Sequence, residues 1–125
     1  MMKPFPSEQE FIAMGEEVLS QLPEGILSRL NGGIIIRSEK KINPEGGESS
    51  LILGQYVHKP YTMGRYILIF YGSFRALYLG SSRKELKKRL RETIHHELQH
   101  HWEDLSGNNR LAREENKGNW DRLWS

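Results

Sequence analysis

The chain contains no cysteine. That excludes disulfides, a thiol nucleophile and any zinc site built on sulfur, and it leaves His, Asp and Glu as available metal ligands. It also fits a reducing compartment. Net charge is scarce: 18 basic and 16 acidic side chains nearly cancel, so the overall field gives no reason to expect nucleic acid as a partner. No apolar run approaches membrane-spanning length, and Met1-Met2-Lys3-Pro4-Phe5-Pro6 lacks the apolar core of a secretion signal. The expectation is a soluble, unexported cytoplasmic protein of bacterial type, with no membrane partner. No internal repeat is visible, and 125 residues suffice for one domain with one core.

Histidine, by contrast, is concentrated. Four of the five histidines lie between His95 and His101, and His96 to His100 reads His-Glu-x-x-His. On a helix, residues four apart share one face about 6 Å apart along the axis. Two imidazoles so placed can close on one tetrahedral zinc at roughly 2.0–2.1 Å each. Glu97 sits about 100° round from His96, where a carboxylate can take a proton from activated water and later return it. The spacing thus encodes a zinc site and a general base together. The alternative is a solvated, His-rich helix end that binds nothing.

The surroundings bear on that choice. Pro6-Ser7-Glu8-Gln9-Glu10 predicts a capped helix start, with Ser7 and Glu10 forming a capping box. Phe11, Ile12, Met14, Val18, Leu19 and Leu22 give it an inward face, and Pro23 ends it. Ile26, Leu27 and Leu30 suggest one further turn before Asn31-Gly32-Gly33. Ile34 to Ile36, Leu51 to Val57 and Tyr66 to Tyr71 read as strands, with Gly54 as a bulge and the last covered on both faces. Residues 39–50 are polar and Gly-rich, which predicts an exposed, mobile loop. His58, at a strand end, is structural or exposed by default, with contact to the metal or substrate as the lesser alternative. A short helix is expected from Ser73 to Leu79.

Ser82 and Glu85 predict a second capping box and a long helix. Leu86, Leu90, Ile94, Leu98 and Leu105 fall within about 120° of its circumference, while His96, His100 and Glu103 fall on roughly the opposite side. Glu97 lies between the two faces and His101 nearer the core. The basic run from Lys84 to Arg91 reads as solvated surface. Trp120 and Trp124 in the segment 108–125 are expected to dock back on the body or to meet a partner.

A catalytic zinc usually takes three protein ligands and leaves one position for water. Glu103 is the favoured third, on the same face as both histidines. Its Cα is about 10 Å along the axis from that of His96, so the last turn would have to unwind. Asp104, Glu114 and Glu115 are alternatives, and Glu103 could equally be solvated or support a histidine.

The succession Leu22-Pro23, Ile34 to Ile36, Leu53-Gly54-Gln55-Tyr56, Arg91, Thr93 and His96 to His101 resembles the small bacterial zincin-like metallopeptidases with an MMP-like domain. The resemblance is closest from Arg91 to Trp102. It implies one compact α+β domain over residues 1–125, a small mixed sheet packed on an N-terminal helix and the HExxH helix. It also implies zinc-dependent hydrolysis of a peptide or protein, with His96 and His100 as ligands and Glu97 as base. Relatives often place Gly where Glu103 stands, so the family's third ligand does not transfer.

The expected reaction is attack of metal-activated water on a peptide carbonyl, with the substrate held by strand addition at Leu51–Val57 or Tyr66–Tyr71. An oxyanion donor is needed, for which Tyr61, Tyr66, Tyr71 and His101 are candidates. The alternative function is a zinc-binding interaction module, inactive or shut by its own tail. A plain structural domain is the third reading. Oligomeric state is not encoded.

Overall fold

The computed structural model describes residues 4–45, 50–59 and 64–107. Three helices are present among them: α1 (Glu8–Ser20), α2 (Tyr71–Tyr78) and α3 (Arg83–Leu105). The strands are β1 (Gly33–Arg37), β2 (Lys41–Ile42), β3 (Leu51–Ile52), β4 (Gly54–Lys59) and β5 (Gly64–Phe70). The architecture is α+β, as the resemblance implied. None of the described helices is long and apolar enough to cross a membrane.

Local chemistry accounts for the helix starts. Ser7 accepts from the Glu10 N–H at 3.1 Å while its own N–H donates to Glu10 Oε1 at 2.9 Å, the reciprocal pair read from the sequence. At α3 only half of the pair forms. Ser82 Oγ accepts from the Glu85 N–H at 3.1 Å, whereas the Glu85 carboxylate takes Arg89 Nε one turn on. Between α1 and β1, residues 23–30 make tight turns, with Ile26 donating to Pro23 and Leu30 to Leu27.

The three-stranded sheet has the order β1-β5-β4. β1 runs parallel to β5, pairing Ile34 with Ile67 and Ile36 with Ile69. β4 runs antiparallel to β5, pairing Gly54 with Ile69 and Tyr56 with Ile67. Central β5 buries Ile67 and Ile69 on one side and Tyr66 and Phe70 on the other, which is why its sequence carries no polar alternation. Ile67 and Ile69 join Phe11 and Val18 of α1, Phe74 of α2 and Leu86, Leu90, Ile94 and Leu98 of α3 in one core. Ile12, expected inward, is instead 37% exposed.

Two expectations about residues 39–57 are corrected. Residues 39–50 are not simply a loop, since β2 forms there and pairs with β3. The stretch Leu51–Val57 is not one strand but two, broken at Leu53, whose carbonyl still accepts from the Phe70 N–H at 2.9 Å. Residues 108–125 lie outside the described residues.

The corner from β5 into α2 is held against the β1–β2 connection. The Gly72 N–H donates to the Glu39 carbonyl at 3.1 Å, and buried Ser73 Oγ accepts from the Lys41 N–H at 2.9 Å. A Cβ at Gly72 would lie 2.5 Å from Lys40 N and 2.6 Å from Glu39 C, and both are backbone atoms that cannot rotate away. Gly72→Ala is therefore expected to cost ~1–3 kcal/mol, seen as a lower urea midpoint at unchanged slope. An unchanged midpoint would show that this connection yields freely.

Candidate active site

α3 sorts its side chains by the 3.6-residue period. Leu86, Leu90, Ile94 and Leu98 face the core, His96 and His100 are exposed on the far side, and Glu97, about 20° round from Leu86 by the same period, lies at the edge of the core face and is 7% exposed. Glu97 is covered because β4 comes unusually close. A Cβ at Gly54 would lie 2.8 Å from Thr93 Cγ2 and 3.2 Å from Glu97 Cγ. The role of Gly54, which pairs in register with Ile69 and is not the bulge read from the sequence, is this close approach.

Burial pushes the Glu97 carboxyl up to about 7, against the lowering effect of the Tyr56 backbone N–H that donates to it. His96 and His100 stand edge to face with ring centroids 5.0 Å apart. Two imidazoles on one tetrahedral zinc at ~2.0–2.1 Å would hold their centroids about 5 Å apart, a separation this pair already has. Among the described residues, no group of three or more His, Asp or Glu side chains is assembled around one metal position.

Glu103 is half-buried in the last turn of α3, which stays helical through Leu105. Asp104 is engaged elsewhere. Its Oδ2 accepts from Tyr56 Oη at 2.7 Å, from Arg65 Nε at 2.9 Å and from His58 Nδ1 at 2.9 Å. Burial raises the Asp104 carboxyl, but the bonds from Tyr56 and Arg65 and the charges of His58 and Arg65 outweigh it and hold it below the usual range. Glu114 and Glu115 lie outside the described residues.

Two depressions meet over α3 and share Ile52, Gly54 and Glu97. One, of about 520 Å³, also takes in Tyr56, His58, His100 and Asp104. The other, of about 360 Å³, runs past His96 and is lined by Leu51, Leu53, Tyr78 and Thr93. Glu97 stands at their junction.

Several candidates read from the sequence fall away from this junction. His101 is fully buried, with Nε2 2.8 Å from the Ser28 carbonyl and Nδ1 3.3 Å from Tyr56 Oη. It pins the 23–30 turns to α3, helped by Trp102, whose indole N–H donates to the Ile26 carbonyl at 3.1 Å. Tyr71 Oη donates to the Pro6 carbonyl, and Tyr66 is buried in β5. Tyr61 lies outside the described residues. β5 has neighbours on both sides, so Tyr66–Phe70 offers no edge for an added strand. Among the described residues, β4 is an edge of its sheet. The sequence offers Asp104 and His58 separately, but the pairing of His58 on β4 with Asp104 on α3, far apart in the chain, carries no local signal.

Fold and site together define an α+β protein in which an exposed histidine pair and a buried glutamate on one helix face an edge strand. No family model matches the chain, and no curated protein does. Among solved structures it is similar to a protein from Thermo thermophilus described as a conserved hypothetical protein, at 30% identity and a TM-score of 0.66, over 82% of this chain and 100% of that one. The chain belongs to the family of that protein.

Proposed function

We propose that the protein is a zinc-dependent peptidase of the zincin-like kind, hydrolysing a peptide or protein. His96 and His100 hold the metal, Glu103 completes the set, and Glu97 is the general base. The observation that carries this reading is a buried carboxyl on the same helix as two exposed imidazoles whose ring centroids stand 5.0 Å apart. Zinc bound there supplies Lewis acidity, polarising the scissile carbonyl and making water nucleophilic near neutral pH.

Glu97 does the proton work. As water attacks, the carboxylate takes its proton, and as the C–N bond breaks it gives that proton to the leaving amine. Burial makes this carboxylate a stronger proton acceptor than an ordinary one, and a zinc ion beside it opposes that effect. The exposed edge of β4 can hold an extended substrate by strand addition, with the reacting carbonyl over Glu97. Glu103 is preferred to Asp104 because it lies on the helical face that carries both histidines. Its ligation requires the last turn of α3 to open.

The test uses protein made without a histidine tag, stripped with a chelator and reconstituted with zinc. Reconstituted protein is expected to retain zinc and cleave members of a mixed peptide library, read by mass spectrometry, and stripped protein to cleave none. Failure to retain zinc would defeat the reading. Zinc retained without cleavage would favour a non-catalytic zinc-binding module.

A further inference from the structure

Attack on a peptide carbonyl places negative charge on its oxygen, and a hydrogen-bond donor held at that point is worth much of the acceleration. His101, Tyr66 and Tyr71 are all committed away from the junction of the two depressions. His58 is not. It lies near the end of β4, exposed to solvent, and lines the same depression as Glu97 and His100.

The ring of His58 is held in one orientation. Its Nδ1 lies 2.9 Å from Asp104 Oδ2, so the proton on that nitrogen is committed to the carboxylate. Asp104 is fixed in turn by Arg65 Nε at 2.9 Å and Tyr56 Oη at 2.7 Å. This leaves Nε2 for a molecule in the depression. Nε2 can donate only when the ring carries a proton on each nitrogen, because the Nδ1 proton is already held by Asp104.

We propose that His58 is a second catalytic residue, donating a hydrogen bond from Nε2 to the substrate's carbonyl oxygen as that oxygen gains charge, with Asp104 as its positioning residue. The proton stays on Nε2 throughout, so no bond to it breaks. The proposal rests on the peptidase reading, and it assigns the oxyanion donor that the reading requires.

Two substitutions separate this role from a structural one. His58→Asn puts an amide nitrogen near the place of Nδ1, so it keeps the bond to Asp104 and loses the donor facing the depression. His58→Gln puts its amide nitrogen near the place of Nε2, with the opposite outcome. In zinc-loaded full-length protein, kcat and KM are measured together with calorimetric affinity for a peptide phosphonate, whose tetrahedral anionic phosphorus mimics the charged species. H58N is expected to lose ~10²–10³-fold in kcat, by analogy with removal of one oxyanion donor. It should lose phosphonate affinity in parallel while KM and the melting temperature stay near wild type. H58Q is expected to recover part of both losses. An H58N protein equal to wild type in kcat and phosphonate affinity overturns the role of His58 while leaving the peptidase reading intact. So does recovery by Asn and not by Gln, which is the pattern of a structural bond to Asp104. A wild-type protein that neither cleaves peptides nor binds the phosphonate removes the peptidase reading, and the role of His58 with it.

Discussion

Replacing Glu97 by glutamine is expected to lower kcat for peptide hydrolysis by about 10²–10⁴-fold, the usual contribution of a positioned general base, while zinc stays bound. Glutamine is nearly the same size and keeps a carbonyl oxygen to accept the Tyr56 backbone N–H that now reaches the Glu97 carboxylate. The close approach of Gly54 to the Glu97 stem is also preserved, because that contact is to Cγ. What the amide lacks is the capacity to take a proton from water. His96 and His100 are untouched, so metal analysis of the two proteins should agree. Zinc retained with cleavage lost assigns the base; equal cleavage in both proteins would remove Glu97 from the reaction. Loss of zinc in E97Q would mean that the carboxylate serves the metal site directly.

Periodicity made α3 legible. Ser82 at its start and leucines at helical spacing fix which way the helix faces, and the positions of His96, Glu97 and His100 follow from 100° per residue. The burial of His101 follows from the same wheel. Periodicity says nothing about what approaches that face from elsewhere in the chain. Tyr56 and Arg65 reach Asp104 across 48 and 39 residues of sequence, and only the antiparallel pairing of β4 with β5, which sets His58 opposite Arg65, brings them to one carboxylate. Gly54 is legible as an irregularity in a strand, but the partner that requires it, Thr93, lies on another element. β2 is two residues long and forms where the Ser73 hydroxyl takes the Lys41 N–H and β3 lies alongside, so no local pattern announces it. Long elements write their own orientation into the sequence, whereas sites made between elements do not.

The carboxyl proposed as the base also sets a pH dependence of stability. Its ordinary pKa is 4.5 and burial in the fold raises it to about 7. Below pH 4.5 it is protonated whether the chain is folded or unfolded, and nothing is lost. Between 4.5 and 7 the folded state binds more protons than the unfolded state, so stability falls as pH rises. Above about 7 the full penalty of a buried charge applies. A shift from 4.5 to about 7 corresponds to about 3 kcal/mol at ~1.4 kcal/mol per unit. Glutamine does not titrate. Zinc-free E97Q should therefore match the wild-type protein near pH 4 and exceed it by up to about 3 kcal/mol at pH 8, measured by urea unfolding at a series of pH values. A difference that stays flat across this range would show that the carboxyl is not desolvated in solution. Zinc should narrow the gap at pH 8, because a divalent cation held by His96 and His100 favours the ionised neighbour. The substitution that abolishes turnover is thus the one expected to stabilise the empty fold. Such a trade arises when a charged group is kept buried for its chemistry.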